Sequence, residues 1–382
     1  MKKSLLIASV ASIIDQFNMD NIKLLQKIGF EVTVTANFKF GNTSSIERTV
    51  IFKKNLISMG VKIYNVFLKR NVFSFQNIKI YKQIKKIIEK NEFRLIHCHS
   101  PIGGVITRFA SRKLSVNAVK IIYTAHGFHF FRGAPLLNWL LYYPVERWLA
   151  RYTDVLITIN HEDYFQAKKF KLRNGGKVYY VPGIGVDTSK YENTVVDKTK
   201  KRKALGVPEK SIIILSVGEL TKRKNHETII RAITKIKRDN LYYIICGRGK
   251  LEEYLKKLCR RLGISDKVIF LGFRTDIAEI CKVVDIFAFP SLQEGLPVAL
   301  MEAMAARLPV VCSKIRGNTD LLENGKGGEL LMPRDVNGFT KVVEKLIDDE
   351  FLRERMGTHN AKVAKLFDIT VVNEKMEKIY NE

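Results

Sequence analysis

Short apolar runs alternate along the chain with longer segments whose apolar positions recur at helical spacing. Residues 5–10, 31–36, 61–65, 94–99, 120–125, 155–159 and 177–181 read as strands, and between them 19–28, 76–90, 103–111 and 136–150 read as helices. Strands and helices alternating at this pitch predict a parallel sheet covered on both faces. The rhythm stops at 187–204 (DTSKYENTVVDKTKKRKA), which is polar and lysine-rich with no apolar period. It restarts with strands at 212–217, 242–246, 268–271, 286–289 and 309–312. The pattern therefore predicts an α/β protein of two doubly wound, Rossmann-like domains: 1–187, a linker 188–205, and 206–366.

The opening MKKSLLIASVASIIDQF imitates a signal peptide, with two lysines before an apolar run that ends in small residues. Its removal would delete the first strand, so it is read as part of the fold. No apolar run reaches the roughly 18 residues a membrane span needs, so any membrane contact is expected to be peripheral. Five scattered cysteines, with no Cys-x-x-Cys pair, read as reduced core residues in a cytoplasmic protein.

Charge changes the picture. The 382 residues carry 65 Lys and Arg against 38 Asp and Glu, a net charge of +27. Residues 1–190 hold 30 of the cations and 11 of the acids, so +19 lies in the first half and +8 in the second. Such an excess implies an anionic partner. Nucleic acid is not expected, because no zinc-finger spacing, RNP-like motif or helix-turn-helix accompanies the charge. An anionic membrane surface or a lipid-diphosphate substrate fits, and solvated helix faces are the bland alternative. In 126–148 (HGFHFFRGAPLLNWLLYYPVERW) aromatic residues interleave with arginine, which suits either lipid headgroups or a loop followed by a core helix.

The chemistry concentrates at 290–305, PSLQEGLPVALMEAMA. Ligands of open parallel sheets bind beyond the carboxyl ends of the strands, and 286–289 is such a strand. Pro297 suits the first turn of the following helix, whose free N–H groups can receive phosphate oxygens. Glu302 lies roughly 7 Å further along the helix axis, among Leu300, Met301, Ala303 and Met304. A carboxylate there needs donors, and a nucleotide ribose has two. Glu294, at the helix entrance, would reach a sugar attached to the phosphates.

EGLPVALMEAMA resembles the Glu-x7-Glu signature of the retaining, nucleotide-sugar-dependent glycosyltransferases of family 4. The resemblance extends to VPGIGVD (181–187), SVGELTKRKNHETII (216–230), ICGRGK (245–250), FLGFRTDI (270–277) and IRGNTDLL (315–322), and is nearest to the capsule and exopolysaccharide branch. It implies a GT-B fold, two Rossmann-like domains facing a cleft, with acceptor bound by the first and nucleotide-sugar by the second, and a last helix (367–382) crossing back to the first. It implies that Glu302 holds the ribose, that Glu294 contacts the donor sugar with backbone groups of Gly295 and Leu296, and that Lys224 stabilises the departing diphosphate. Arg223, Gly218, Gly247 and Arg274 would complete the nucleotide-sugar site, and His126 would hydrogen-bond the donor sugar. The donor expected is a UDP-sugar, the acceptor a glycan on a lipid-diphosphate carrier at the inner membrane face, and the mechanism front-face substitution. No cofactor is expected.

The sequence departs from the family pattern twice. Glu219 stands where an arginine usually follows the glycine, which requires Lys222, Arg223 or Arg248 to substitute, or Glu219 to turn away. Ala8-Ser9-Val10-Ala11-Ser12 replaces a glycine-rich turn. His97 and His99 share a strand face, but no third metal ligand is evident, and no Asp-x-Asp is present, so metal independence is expected. Two alternatives stay open: a UDP-sugar epimerase of the same fold, and a non-catalytic nucleotide-sugar-binding protein.

Overall fold

The computed structural model describes residues 1–42, 44–68 and 75–382. They form two units, Met1–Ile184 with Val372–Glu382, and Gly185–Val371. The first unit is built on strands β1 (Lys2–Val10), β2 (Phe30–Asn37), β3 (Lys62–Asn65), β4 (Leu95–His99), β5 (Lys120–Ala125), β6 (Val155–Thr158) and β7 (Lys177–Tyr180), in the order β3-β2-β1-β4-β5-β6-β7. All pairings are parallel. The segment resembling a signal peptide is thus an interior strand: Leu5, Leu6 and Ile7 are fully buried, and β1 pairs on both edges.

Two apolar layers sandwich this sheet, as expected when both faces of a parallel sheet are covered. One contains Ile80, Ile84, Ile87 and Ile88 of the helix Gln76–Asn91, Phe128 and Phe130, and half-buried Trp139, Tyr142 and Tyr143. The other holds Ile22 and Leu25 of Met19–Lys27 and, from Ile369–Asn381, Val372, Met376, Ile379 and Tyr380. The 126–148 segment is therefore partly the loop-plus-core-helix reading. Its helix, Leu136–Ala150, packs half-buried Trp139, Tyr142 and Tyr143 and buried Leu149 inward and leaves Leu136, Leu137, Leu140 and Leu141 exposed.

The second unit is built on β8 (Ile212–Val217), β9 (Leu241–Cys246), β10 (Val268–Gly272), β11 (Ile286–Phe289), β12 (Val310–Ser313) and β13 (Gly328–Leu331), in the order β10-β9-β8-β11-β12-β13. These too pair in parallel. Strand β13 was not expected. It is short and begins at Gly328, where an added Cβ would lie 1.8 Å from the Val310 carbonyl oxygen, so backbone proximity takes the place of an apolar signal.

Residues 188–205 fold within this unit as two short helices, Thr188–Asn193 and Lys198–Ala204, rather than as an extended linker. Asp187 and Asp197 cap them, accepting from the N–H groups of Lys190 and Lys200. Tyr191 and Leu205 are buried. All five cysteines are free and buried, and no described helix is long and apolar enough to cross a membrane.

Candidate functional site

The carboxyl ends of β8, β9 and β11 bring Gly218, Arg223, Lys224, Gly247 and Glu294 of the second unit together. After β8 the chain turns at Gly218, whose hydrogen faces the Lys224 stem; a Cβ there would come within 3.0 Å of Lys224 Cε. Gly247, after β9, sits against the Gly218 carbonyl, and a Cβ on it would lie 1.9 Å from that oxygen. Gly247→Ala must therefore push two loops apart. Overpacking of this kind costs about 1–3 kcal/mol, which in a unit of this size should lower the melting temperature by about 3–10 °C, as calorimetry or circular dichroism would read.

Beyond β11 the loop at 290–297 folds back onto the loop after β8. The Leu292 N–H donates to the Arg223 carbonyl at 2.7 Å, and Asn225, held at a φ of 55°, donates through Nδ2 to the carbonyls of Pro290 and Pro333. This clamp sets the acidic centre. Glu294, 8% exposed, receives the Lys224 ammonium at 2.8 Å on Oε1 and the Arg223 guanidinium at 3.1 Å on Oε2. Lys224 Nζ also lies 4.5 Å from the centre of the Phe289 ring. Burial pulls the Lys224 ammonium below its usual pKa, and the Glu294 charge opposes that pull. Arg316 Nε donates to the Glu294 carbonyl at 3.3 Å, and Gly317, at a φ of 82°, packs on Gly295.

Of the three substitutes for the missing arginine, Arg223 meets Glu294, while Lys222 and Arg248 are exposed, as is Glu219 itself. The Glu219 charge still favours the protonated form of Lys224, as the smallest of its influences.

Helix Val298–Ala305 begins at Pro297 with no side-chain cap; the Leu300 and Met301 N–H groups donate to the Pro297 carbonyl, and no side chain covers the groups before them. Leu296 is buried and Gly295 half-buried. Glu302, one helical turn inside, is half-buried, and burial raises its carboxyl above the usual range. The Tyr191 hydroxyl and, more weakly, the Lys190 ammonium oppose that rise. The donor beside Glu302 is thus a tyrosine from the segment read as linker, which the absence of an apolar period concealed. The Asp187 cap, four positions earlier, was the available signal.

Arg274 pairs with a carboxylate other than Glu294. Its guanidinium grips Asp276 through Nε at 2.8 Å and Nη2 at 2.5 Å, and Lys201 joins the same carboxylate at 2.6 Å. The resemblance implies a nucleotide-sugar contact for this residue, and the ion pair with Asp276 is compatible with that, since the Arg274 side chain stays partly exposed. Arg316 and Asn225 were missed although their stretches had been recognised, because single polar residues in loops carry no periodic signal.

In the first unit, His126 follows β5 and meets His99 of β4, with His126 Nε2 at 3.2 Å from His99 Nδ1. His97, on the same strand face, touches the Tyr380 hydroxyl (2.9 Å) and Thr124 Oγ1 (2.8 Å). Burial drives the pKa of His97 down to about 3 and that of His126 to about 4, so both rings are neutral near pH 7. A neutral His126 suits the hydrogen bonding that the resemblance gives it. His99, His126 and Thr124 line a cavity of about 160 Å³. Among the described residues no group of three His, Cys, Asp or Glu is placed to hold a metal ion.

Comparisons with known proteins identify the family and the fold. A family model described as glycosyl transferases group 1 matches residues 197–363, and one described as glycosyl transferase 4-like matches 5–160. EpsD of Bacillus subtilis, a putative glycosyltransferase, is 35% identical over 383 aligned residues, covering 100% of this chain and 96% of its own. A UDP-Gal:alpha-D-GlcNAc-diphosphoundecaprenol alpha-1,3-galactosyltransferase of Escherichia coli is 30% identical, covering 82% and 81%. Among solved structures, HepE of Anabaena in complex with UDP superposes with a TM-score of 0.78 at 20% identity, over 100% of both chains, which establishes the fold. With both halves matched by family models and a relative aligned over its whole length, the chain belongs to the family 4-like, group 1 glycosyltransferases and has the GT-B fold.

Proposed function

We propose that the protein transfers a sugar, with retention of anomeric configuration, from a UDP-sugar to a growing glycan carried on a lipid diphosphate, in capsule or exopolysaccharide assembly at the cytoplasmic face of the membrane. The observation that carries this reading is the Glu294 carboxylate held by Lys224 and Arg223 at the uncapped start of the helix that bears Glu302. The helix N-terminus and Lys224 suit a diphosphate, and Glu302 suits ribose hydroxyls. The lipid-diphosphate acceptor is supported by the named activity of the Escherichia coli relative and by the basic first half of the chain.

In this reading the bond from the sugar's anomeric carbon to the diphosphate oxygen breaks, and the acceptor hydroxyl forms its bond on the same face. The acceptor's proton passes to the leaving phosphate oxygen, whose charge Lys224 and the helix N-terminus stabilise. No metal enters the mechanism.

The test is incubation with UDP-sugars and a polyprenyl-diphosphate-linked monosaccharide, followed by mass spectrometry and NMR of the product. An elongated lipid with an α-linkage from an α-configured donor is expected. A β-linkage would overturn retention, and release of epimerised UDP-sugar without acceptor would point to the epimerase alternative.

A further inference from the structure

Helix Leu136–Ala150 poses a problem that the site does not answer. Its inner face is accounted for: Trp139, Tyr142 and Tyr143 pack on the core, and its single acid, Glu146, is buried against Arg108 with Oε2 2.8 Å from Nη2. Its outer face is also apolar. Leu136 (74% exposed), Leu137, Leu140 (65%), Leu141, Val145 and Trp148 stand in solvent at spacings of three and four residues, one continuous stripe. A helix apolar all round is normally enclosed, and a stripe of this size on a surface marks something that covers it.

Charge identifies the cover. Between Phe93 and Thr153 the sole acidic residue is Glu146, turned inward and neutralised, against eight cations. Arg132, Arg147 and Arg151 are exposed before, on and after the helix. On the neighbouring side, Trp148 lies 5.6 Å from Phe109, and Phe109 lies 5.4 Å from Tyr81 of helix Gln76–Asn91. Arg112 stacks on Phe109 and donates to the Tyr81 hydroxyl. Helix Gln76–Asn91 in turn exposes Lys79, Lys82, Lys86 and Lys90. The apolar stripe is thus bordered by cations on the helix, on the loop before it and on the adjoining helix. Lysine and arginine around a leucine stripe with tryptophan at one end is the chemistry of an interfacial element on an anionic bilayer.

Length separates lying on a membrane from crossing it. Fifteen residues rise about 22 Å, short of the hydrocarbon core. Pro144 lies on the exposed side and lacks the N–H that would satisfy the Leu140 carbonyl. That carbonyl is tolerable at the headgroup level and costly in hydrocarbon.

We infer that Leu136–Ala150, with Arg132, Arg147, Arg151 and the lysines of Gln76–Asn91, is a docking surface for an anionic lipid bilayer, its leucines inserted to the depth of the acyl boundary. The inference rests on the membrane-side reading proposed above and names the element that makes the contact.

The experiment is sedimentation of the full chain with vesicles of phosphatidylcholine alone or mixed with phosphatidylglycerol, with UDP-induced thermal stabilisation measured in parallel. Wild type should pellet with the mixed vesicles and stay in the supernatant with phosphatidylcholine. Leu140→Glu/Leu141→Glu should weaken that association by roughly tenfold or more, and Arg147→Glu/Arg151→Glu by roughly fivefold per arginine. Both variants should keep the UDP-induced rise in melting temperature, which shows that they are folded. Wild type that responds to UDP but does not pellet, or leucine variants that pellet unchanged, would overturn the docking surface and leave the enzyme reading intact. A wild-type dimer that Leu140→Glu/Leu141→Glu converts to monomer would also overturn it, in favour of self-association. Pelleting without any UDP response would support the surface and count against the proposed donor.

Discussion

Lys224→Ala should lower kcat by roughly 10²–10³-fold, the range seen when one preorganised charge is removed from a developing anion, while the Kd for UDP shifts by less than roughly tenfold. The asymmetry follows from where the ammonium sits. It is buried between the Glu294 carboxylate and the Phe289 ring, so its orientation is fixed before any ligand arrives, and a fixed charge stabilises an emerging phosphate without reorganising. In the proposed complex the ground-state diphosphate would spread its charge over backbone N–H groups as well, so less would be lost. Arg223 remains on the other carboxylate oxygen, so Glu294 keeps one cationic partner in the variant and the loop is expected to hold. Steady-state kinetics with the donor that supports transfer, paired with calorimetric UDP titration, separate the two effects. A fall in kcat of only a few-fold, or a loss of UDP binding equal to the loss of rate, would remove Lys224 from the leaving-group role.

Glu302→Gln should move two measurements in opposite directions: the unliganded protein melts higher near pH 7, and UDP binds roughly 10- to 100-fold more weakly. Burial raises the folded-state pKa of this carboxyl above its unfolded value. The folded protein therefore takes up this proton more readily than the unfolded chain. Stability from the group is fully present below the unfolded pKa and is lost as pH rises through the folded pKa, so near pH 7 the ionised carboxylate is a net cost. Glutamine removes that cost and still accepts from the Tyr191 hydroxyl. It also removes the charge that two ribose hydroxyls would share, so the ligand loses charge-assisted bonds. In the wild type, UDP affinity should fall as pH is lowered through the raised pKa, and the glutamine variant should lack that dependence. Thermal shift with and without UDP at two pH values reads all four quantities. A glutamine variant that binds UDP as tightly as wild type would take Glu302 out of the nucleotide site.

Much of this arrangement was legible because it rests on period and on turn chemistry. Parallel strands buried on both faces read as apolar runs, so twelve of the thirteen strands among the described residues stood out, and β13, which begins at Gly328, did not. The placing of Glu294 at the entrance of a largely apolar helix and of Glu302 within it was legible because a carboxylate in such a helix stands out. What stayed hidden depended on long-range contact. Tyr191 sits in a segment with no apolar period, yet it is 2% exposed and stands beside Glu302. Arg274 was expected to meet the nucleotide-sugar, and nothing in the local pattern signalled that its guanidinium also pairs with Asp276, two residues on. A sequence displays the charge of such a residue but not whether a carboxylate already claims it.

The composition of the first unit bears on how the protein is made. Its sheet is laid down by residue 180, but Val372, Met376, Ile379 and Tyr380 fill one of its two apolar layers, and the Tyr380 hydroxyl is the partner of buried His97. While the ribosome produces the intervening residues of the second unit, which has an apolar core of its own, the earlier one waits with an open seam. The first unit can close that layer only once the last helix has been made, later than the usual amino-terminal-first order of maturation, and until then the like charge of residues 1–190 works against association of its exposed seam.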